Sequence, residues 1–386
     1  MKRIGMGIVG AGFVGPHHVD AVRRLGFVDV VAVAGSSEAS ARAKAAALGA
    51  PNAYGSFEAL IADPDVHVVH NATPNYLHAR VNAAAIAAGK HIISDKPLAM
   101  SGAEARDLLD RARAAGVVHA VTFNYRGNAL VQQARDLIAR GEIGRPHFVH
   151  GAYLQDWLLF DTDYSWRLEP DKGGPTSALG DVGSHWCDLA EHITGLRISE
   201  VLADVTTTIR TRKKPAKTET FQATANAATT PVNITVEDLA SVLLRFDNGA
   251  RGSFSVGQVC AGHKNDLQIE VSGGSGSVKW RQEQQNELWI GRRDAANSVL
   301  QKDPALVGDV ARAYVHLPGG HQESWADAFC NVMRDIYGVI ASGRGMSRPL
   351  PPAFATFADG YRANCLVDAM LESATRGSVW VKVPAV

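Results

Sequence analysis

The sequence predicts an α/β chain in two parts: an N-terminal doubly wound parallel sheet, then an α+β part built on a large, mainly antiparallel open sheet. Three observations carry this. Through residue 123, nearly continuous apolar runs alternate with alanine-rich helical runs, the rhythm of strands buried on both faces and joined by crossover helices. A glycine hexapeptide, "GAGFVG" at Gly10 to Gly15, stands between the first strand and the first helix. After residue 124 the period changes, and from 199 onward long strands and hairpin turns dominate. The expected division is therefore 1–123 and 124–386.

Taken in order, the first part has the strand-like segments "IGMGIVG", "VDVVAVAG", "VHVVHNA", "HIISD" and "VVHAVTF". Between them run "PHHVDAVRRLG", "EASARAKAAALG", "SFEALIADP", "LHARVNAAAIAAG" and "SGAEARDLLDRARAAG". Four of these five end at glycine, the usual helix-terminating residue, and Ser101 with Glu104 predicts a capping box. The second part opens with a helix at about 128 to 140, the strand "HFVHGAYL", an aromatic loop and a helix near 177 to 194. "DLASVLLRF", "DNG" and "ARGSFSVGQV" spell a hairpin, and "LQIEVS", "SVKWRQE" and "ELWIGRR" continue it as a meander. Residues 211 to 233 read as a flexible excursion. The basic run at its start, Arg210, Arg212, Lys213, Lys214 and Lys217, reads as a solvated loop. Helices near 322 to 341 and 354 to 375 close the chain.

Composition bounds the function. Lys+Arg 39 against Asp+Glu 39 leaves no basic excess, so neither nucleic acid nor an anionic membrane surface is expected as a partner. Cys187, Cys260, Cys330 and Cys365 are scattered, which suits reduced thiols better than a disulfide framework or a zinc site, and no metal is expected. The N-terminal apolar stretch is too short for a signal peptide, and no run approaches a membrane span. A soluble, cytoplasmic protein is the expectation.

"GAGFVG" fits G-x-G-x-x-G in the context that gives it meaning, after a strand and opening a helix with Pro16 at its start. Gly10 allows the turn, Gly12 lets backbone approach a pyrophosphate, and Gly15 packs helix on strand. Phe13 and Val14 complete the loop, whose anion sits on the helix N-terminus. This is a dinucleotide-binding Rossmann domain. Its second strand should end in a carboxylate that holds a ribose hydroxyl, but Gly35, Ser36 and Ser37 stand there. NAD is expected, with NADP the alternative, because Arg42 is near in sequence yet can face away.

Ligands of open α/β sheets sit beyond the carboxyl ends of strands. "NATPNYLH" brings Thr73, Pro74, Asn75 and His78 to that rim, and "SDKPLAM" brings Asp95 and Lys96. Lys96 precedes Pro97, whose ring holds the lysine backbone out of the α region. In "GDVGSHWCDLAEHITG", Asp181 and His185 stand four apart on one helical face, and His185 can move a proton near neutral pH. Asp188 and His192 read as structural. The loop "YLQDWLLFDTDYSWRLEPDKGG" offers Tyr153, Gln155, Asp156, Trp157, Trp166 and Arg167, aromatic faces among amides and charges that suit a sugar ring as well as they suit a covering loop.

Four motifs in order, "GAGFVG", "TPNYLH", "DKPLA" and "DVGSH", resemble those of the glucose–fructose oxidoreductase, inositol dehydrogenase and rhizopine-catabolism (Gfo/Idh/MocA) family over nearly the whole chain. The resemblance implies a cofactor domain followed by a substrate-binding and oligomerisation domain. Lys96 would then touch the reacting hydroxyl and the nicotinamide, Asp181 would bind or orient substrate, and His185 would be the acid/base. Asp95 departs from the family's usual glutamate. The aromatic loop is similar to the branch acting on glucosides and anhydrosugars. The implied activity is NAD(P)-dependent interconversion of a secondary hydroxyl and a ketone on a cyclic sugar, glycoside, anhydrosugar or polyol, with C3 favoured. The rivals are a glycosidase or epimerase that oxidises transiently with a retained cofactor, and a non-catalytic sugar or dinucleotide sensor. A homodimer or homotetramer through the C-terminal sheet is expected, because both faces of its strands carry apolar residues.

Overall fold

The computed structural model describes residues 3–215, 229–343, 345–346 and 353–386. The chain packs as two units, Met1–Gly127 with Trp325–Asn364, and Asn128–Ser324 with Cys365–Val386.

The first unit is a six-stranded parallel sheet of β1 (Ile4–Val9), β2 (Val28–Ala34), β3 (Asn52–Tyr54), β4 (Val68–Asn71), β5 (His91–Ser94) and β6 (His119–Val121), in the order β3-β2-β1-β4-β5-β6. Each apolar run expected in the first part contains one of these strands, while the short β3 had no such run to mark it. Side chains alternate between two cores. Met6, Ile8, Val33, Val68 and Ile93 pack towards helices Gly15–Arg23 and Trp325–Ala341. Ala32, Ala34, Val69, Ile92 and Val121 pack towards Asn75–Ala87 and Gly102–Ala115. This two-sided burial explains why the strands carry no polar alternation.

Local signals set the helix ends. The Ser101 hydroxyl accepts from the Glu104 N–H at 3.3 Å, and the Glu104 carboxylate accepts from the Met100 N–H at 3.0 Å. The reciprocal capping bond thus reaches one residue further back than the standard box. Gly116 ends the helix with φ 65, where a Cβ would be strained.

The segment Trp325–Asn364 departs from the simple division at residue 123. The Trp325–Ala341 helix turns Phe329, Val332, Met333, Ile336 and Val339 into the first core, and Asn331 donates to the Gly127 carbonyl at 3.0 Å. An apolar stripe this broad is buried where a bare sheet face needs covering.

The second unit is a mixed nine-stranded sheet. Its strands are β7 (Pro146–Leu154), β8 (Ile198–Thr206), β11 (Leu239–Phe246), β12 (Arg251–Gly257), β13 (Asp266–Gly273), β14 (Ser277–Arg281), β15 (Glu287–Gly291), β16 (Ser298–Gln301) and β17 (Val381–Lys382). They order as β16-β15-β14-β13-β7-β12-β11-β8-β17, and only the β7–β12 pair is parallel. Trp186, on helix Ser184–Thr194, stacks on Phe254 of β12 at 4.4 Å between ring centroids. Gly151 of β7 makes room, since a Cβ there would collide with the Gln268 carbonyl and crowd the Trp186 indole. The other face leaves Leu243 and Phe148 exposed.

Two expectations fail in this unit. The excursion at 211 to 233 is structured at both ends: β9 (Thr211–Pro215) pairs antiparallel with β10 (Thr229–Asn233). Residues 216–228, including Lys217, lie outside the described residues. Nor is the basic run simply solvated. Arg212 is fully buried, and Lys213 and Lys214 are paired with Asp161 and Glu169. Alternation along β9 sends every second side chain inward whatever its charge. No helix among the described residues is long and apolar enough to cross a membrane.

Candidate active site

The first unit carries the cofactor-side residues. The sheet order reverses between β1 and β4, so the loops after these strands flank the crevice where open α/β sheets bind ligands. Gly10 has φ +79, and a Cβ on it would sit 2.6 Å from the Ala72 carbonyl oxygen. A Cβ on Gly15 would press on the Gly10 carbonyl at 3.1 Å, whereas one on Gly12 would meet nothing and would project into open space before the loop. The helix Gly15–Arg23 begins at Val14, which offers no side-chain cap. Pro16 carries no N–H and the His17 N–H donates to the Val14 carbonyl at 3.0 Å, so an anion would meet the Gly15 N–H and the positive end of the helix dipole. Phe13 is exposed beside the His17 ring. This cradle fits a dinucleotide pyrophosphate.

At the end of β2 the structure narrows cofactor choice. Gly35 packs so closely that a Cβ would lie 2.9 Å from the Ala41 backbone nitrogen. Ser37 caps the helix Glu38–Leu48, accepting from the Ser40 N–H at 3.3 Å. Ser36 is exposed, and Arg42 is engaged with Glu38 at 3.1 Å. A 2′-phosphate would meet one unengaged hydroxyl and an arginine already paired.

The rim after β4 and β5 is a network of buried amides and hydroxyls. Asn71 donates to Asn82 Oδ1 at 2.8 Å, Asn82 to Ser94 Oγ at 2.9 Å, and Ser94 to the Asp95 carbonyl at 3.0 Å. Thr73 Oγ1 donates to Asn71 Oδ1 at 2.7 Å. Pro74 holds the N-cap position of the helix that Asn75 begins. One turn on, His78 sets its two ring nitrogens 2.6 Å from the Pro97 carbonyl and 2.8 Å from that of Thr73. The Lys96–Pro97 peptide is cis. Asp95 Oδ1 accepts from the Lys96 N–H at 2.8 Å and from Thr122 Oγ1 at 2.7 Å. Burial pushes the Asp95 carboxyl up, but Lys96, His18, His78 and the Thr122 bond together hold it below the usual range. Thus Thr73, Pro74, His78 and Asp95 build the rim, and half-buried Lys96 extends from it.

The second unit carries the residues expected on the substrate side. The helix expected at 177 to 194 opens with a π-helical turn, Leu179–Gly183, before continuing as Ser184–Thr194. Asp181 lies in that turn, and such turns often mark functional sites. Its Oδ2 accepts from Gln258 Nε2 at 2.8 Å, and its Oδ1 is 3.4 Å from Arg167 Nε. Arg167 stacks over Trp166 at 4.5 Å. His185 is buried, with its ring 6.3 Å from that of Tyr153 between centroids. His192 contacts Gln132 at 3.2 Å, and Asp188 is buried.

The remaining candidates are tied to one another. Tyr153 donates to Asn265 Oδ1 at 2.6 Å, as does Gln155 at 3.0 Å, and Trp157 donates to Gln155 Oε1 at 2.9 Å. Asp156 accepts from Lys264 at 2.6 Å, and that bond holds its carboxyl below the usual range. Gln155 therefore spends both ends of its amide inside the protein, which makes it a strut for Trp157.

Sequence reasoning missed Gln258, Glu237 and Asn265, all contributed by the sheet half. Glu237 Oε1 accepts from the Ser177 N–H at 2.9 Å and the Leu179 N–H at 2.8 Å, at the start of the π turn. Ser177 Oγ donates to Gln258 Oε1 at 3.1 Å, and Gln258 reaches Asp181. No motif announces these residues, because each acts across the fold. The usable signal was "VEDLA", two carboxylates opening an otherwise apolar strand.

A parallel sheet with a glycine cradle at its switch point, joined to a second unit on a mixed sheet, is the arrangement of a dinucleotide-dependent oxidoreductase. Residues 4–123 match the model described as "Oxidoreductase family, NAD-binding Rossmann fold", and residues 131–279 match the GFO/IDH/MocA C-terminal domain. The chain belongs to the GFO/IDH/MocA oxidoreductase family. It is 32% identical over 403 residues, covering 100% of both chains, to a levoglucosan dehydrogenase of Pseudarthrobacter phenanthrenivorans. A solved levoglucosan dehydrogenase in complex with NADH and levoglucosan is similar with TM-score 0.88, 30% identity and full coverage of both chains. So is an inositol dehydrogenase homolog complexed with NAD+ from Azotobacter vinelandii, with TM-score 0.87, 26% identity, and coverage of 99% of this chain and 97% of that one.

Burial pushes the Glu237 carboxyl from the ordinary 4.5 up to about 7, against the two backbone donors that favour its charge. Between those values the folded protein keeps a proton that the unfolded chain has lost, so this group's contribution to stability falls as pH rises through the window. Glu237→Gln keeps an acceptor oxygen and cannot ionise. Urea unfolding from pH 4 to 8 should show the variant gaining on the wild type between about 4.5 and 7 and then holding its lead. Parallel curves would contradict the assignment.

Proposed function

We propose that the protein is an NAD-dependent dehydrogenase that converts a secondary hydroxyl of a cyclic sugar or anhydrosugar to a ketone, with C3 of a glucoside-like ring as the favoured position. The observation that carries this is the full-length likeness to a levoglucosan dehydrogenase, on a chain that carries Lys96, Asp181 and His185. Bound NAD supplies the hydride acceptor. His185 takes the hydroxyl proton as the carbon–hydrogen bond breaks, and the Lys96 ammonium stabilises the charge developing on that oxygen. Asp181, anchored by Gln258 and Arg167, holds a neighbouring hydroxyl. The transient-oxidation reading shares these residues but accumulates no reduced cofactor. A sensor has no need of an acid/base set.

NAD is favoured over NADP by the end of β2, where Ser37 is committed to a cap and Arg42 to Glu38. The Arg42–Glu38 pair is exposed on both sides and hinders a 2′-phosphate only weakly, so the NADH-bound relative is the stronger support. The protein is proposed to work in the cytoplasm as a homo-oligomer, joined through the sheet face that leaves Leu243 and Phe148 exposed. Sedimentation at micromolar concentration should give a dimer or tetramer. A single species of 41.1 kDa would contradict the assembly.

A panel of ring sugars, glycosides, anhydrosugars and open-chain 2-hydroxy acids, with NAD and NADP, tests the activity by nicotinamide absorbance. Ring substrates with NAD should reduce the cofactor. Lys96→Met and His185→Ala should each lower kcat by roughly 10²-fold or more and leave NAD affinity nearly intact. Activity confined to open-chain acids, or near wild-type turnover in both variants, would overturn the reading.

A further inference from the structure

We propose that Arg212 is a positioning residue for substrate recognition, a clasp that holds the aromatic loop in the shape in which Trp157 and Trp166 meet the sugar ring. This rests on the ring-sugar reading above. Arg212 sits on β9 with 0% of its surface exposed. Its Nη1 donates to the carbonyls of Phe160 at 2.8 Å and Asp163 at 3.1 Å, and its Nη2 to that of Leu158 at 2.8 Å. The Asp238 carboxylate lies 3.7 Å away and accepts from the N–H groups of Thr208 and Ile209 at 2.7 and 3.1 Å.

A buried guanidinium is tolerable only when its charge and donors are met. Here one carboxylate offsets the charge, and three carbonyls of a single loop take the Nη donors, while the buried Nε has no partner among the described residues. The dependence runs both ways: without the arginine, three loop carbonyls lose a donor and Asp238 loses its counter-ion. Arg212 is also the centre of a longer seam. Lys213 N–H donates to the Asp161 carbonyl at 2.7 Å, its Nζ pairs with the Asp161 carboxylate at 2.9 Å, and Lys214 pairs with Glu169 at 3.0 Å. Beneath it, Leu158, Tyr164 and Leu168 form a small core with Ile234 and Val236, just past β10. Trp157 immediately precedes the first clasped carbonyl, and Trp166 follows the last by three residues. A change in this loop therefore moves both aromatic faces. Asp181 lies off this loop and takes its 2.8 Å bond from Gln258, though Arg167, 3.4 Å from Asp181, and the Leu158 N–H, which donates to the Gln258 carbonyl at 3.0 Å, connect the two.

Stacking on a sugar ring is shared by ground and transition states, so its loss raises KM and spares kcat. Arg212→Met and Arg212→Lys, both checked by thermal melting, are to be assayed with NAD on a ring sugar and on an open-chain polyol of equal carbon number. A lysine keeps the charge but cannot span three carbonyls with a planar fork. Both variants should raise KM for the ring substrate by about tenfold or more and hold kcat within about threefold, with the lysine variant less affected. NAD affinity should not change, and the preference for ring over chain should shrink. Should neither variant fold, Asp161→Ala loosens the same seam at its exposed edge, and a ring-substrate KM raised about twofold would support the clasp. Folded Arg212 variants with wild-type KM and ring preference would overturn it. So would an unchanged KM in Asp161→Ala where the arginine variants do not fold. A wild-type protein that oxidises no ring alcohol would overturn the functional reading and this inference together. Unchanged variants of an active wild type would sink the inference alone.

Discussion

A parallel sheet buried on both faces must still present polar chemistry at its carboxyl edge, and that constraint shapes the first unit. A buried polar group left without a partner costs about 1–3 kcal/mol, so rim residues can be polar only if they satisfy one another. The chain Asn71–Asn82–Ser94 does this between β4, the following helix and β5. Asp95, Lys96 and Pro97 are built on its end, fixed by Thr122 on one side and His78 on the other. An apolar rim would be more forgiving, but it could not aim an ammonium group.

The same constraint recurs in the second unit with different parts. The π turn that carries Asp181 opens with backbone donors that need acceptors, and Glu237 supplies one oxygen to two of them. Gln258 joins Ser177 to Asp181, and Asn265 gathers Tyr153 and Gln155. In each case a residue flanking a strand of the mixed sheet bonds to the π turn, or to the end of β7 and the loop that follows it. Such fully connected networks rigidify a site, whereas partly connected ones weaken it.

What was legible in the sequence follows from range. Gly10, Gly12 and Gly15 could be assigned separate jobs because strand, turn and helix are consecutive; the structure sets Gly10 against the Ala72 carbonyl and Gly15 against that of Gly10, with open space at Gly12. Ser101 and Gly116 bounded their helix for the same reason. Lys96 was conspicuous because a proline follows it. Arg212 was misread because its partners lie some fifty residues earlier, and nothing local distinguishes a buried arginine from a solvated one. Gln258 was hidden on the same ground, and Glu237 showed only as half of the charged pair before β11. The π turn escaped because its helix-like sequence carries no mark of the wider winding. The helix near 322 to 341 was legible as an element, but not that it would cover the first sheet.

The central claim is chemical: hydride leaves a ring carbon bearing a secondary hydroxyl and remains on the nicotinamide. Its most direct test uses an anhydrosugar or glucoside deuterated at single ring positions, incubated with NAD, with the reduced cofactor weighed by mass spectrometry. One labelled position should yield NADH carrying one deuterium and a sugar ketone at that carbon, while the other positions yield unlabelled NADH. Product formation without deuterated NADH from any ring position would contradict the account.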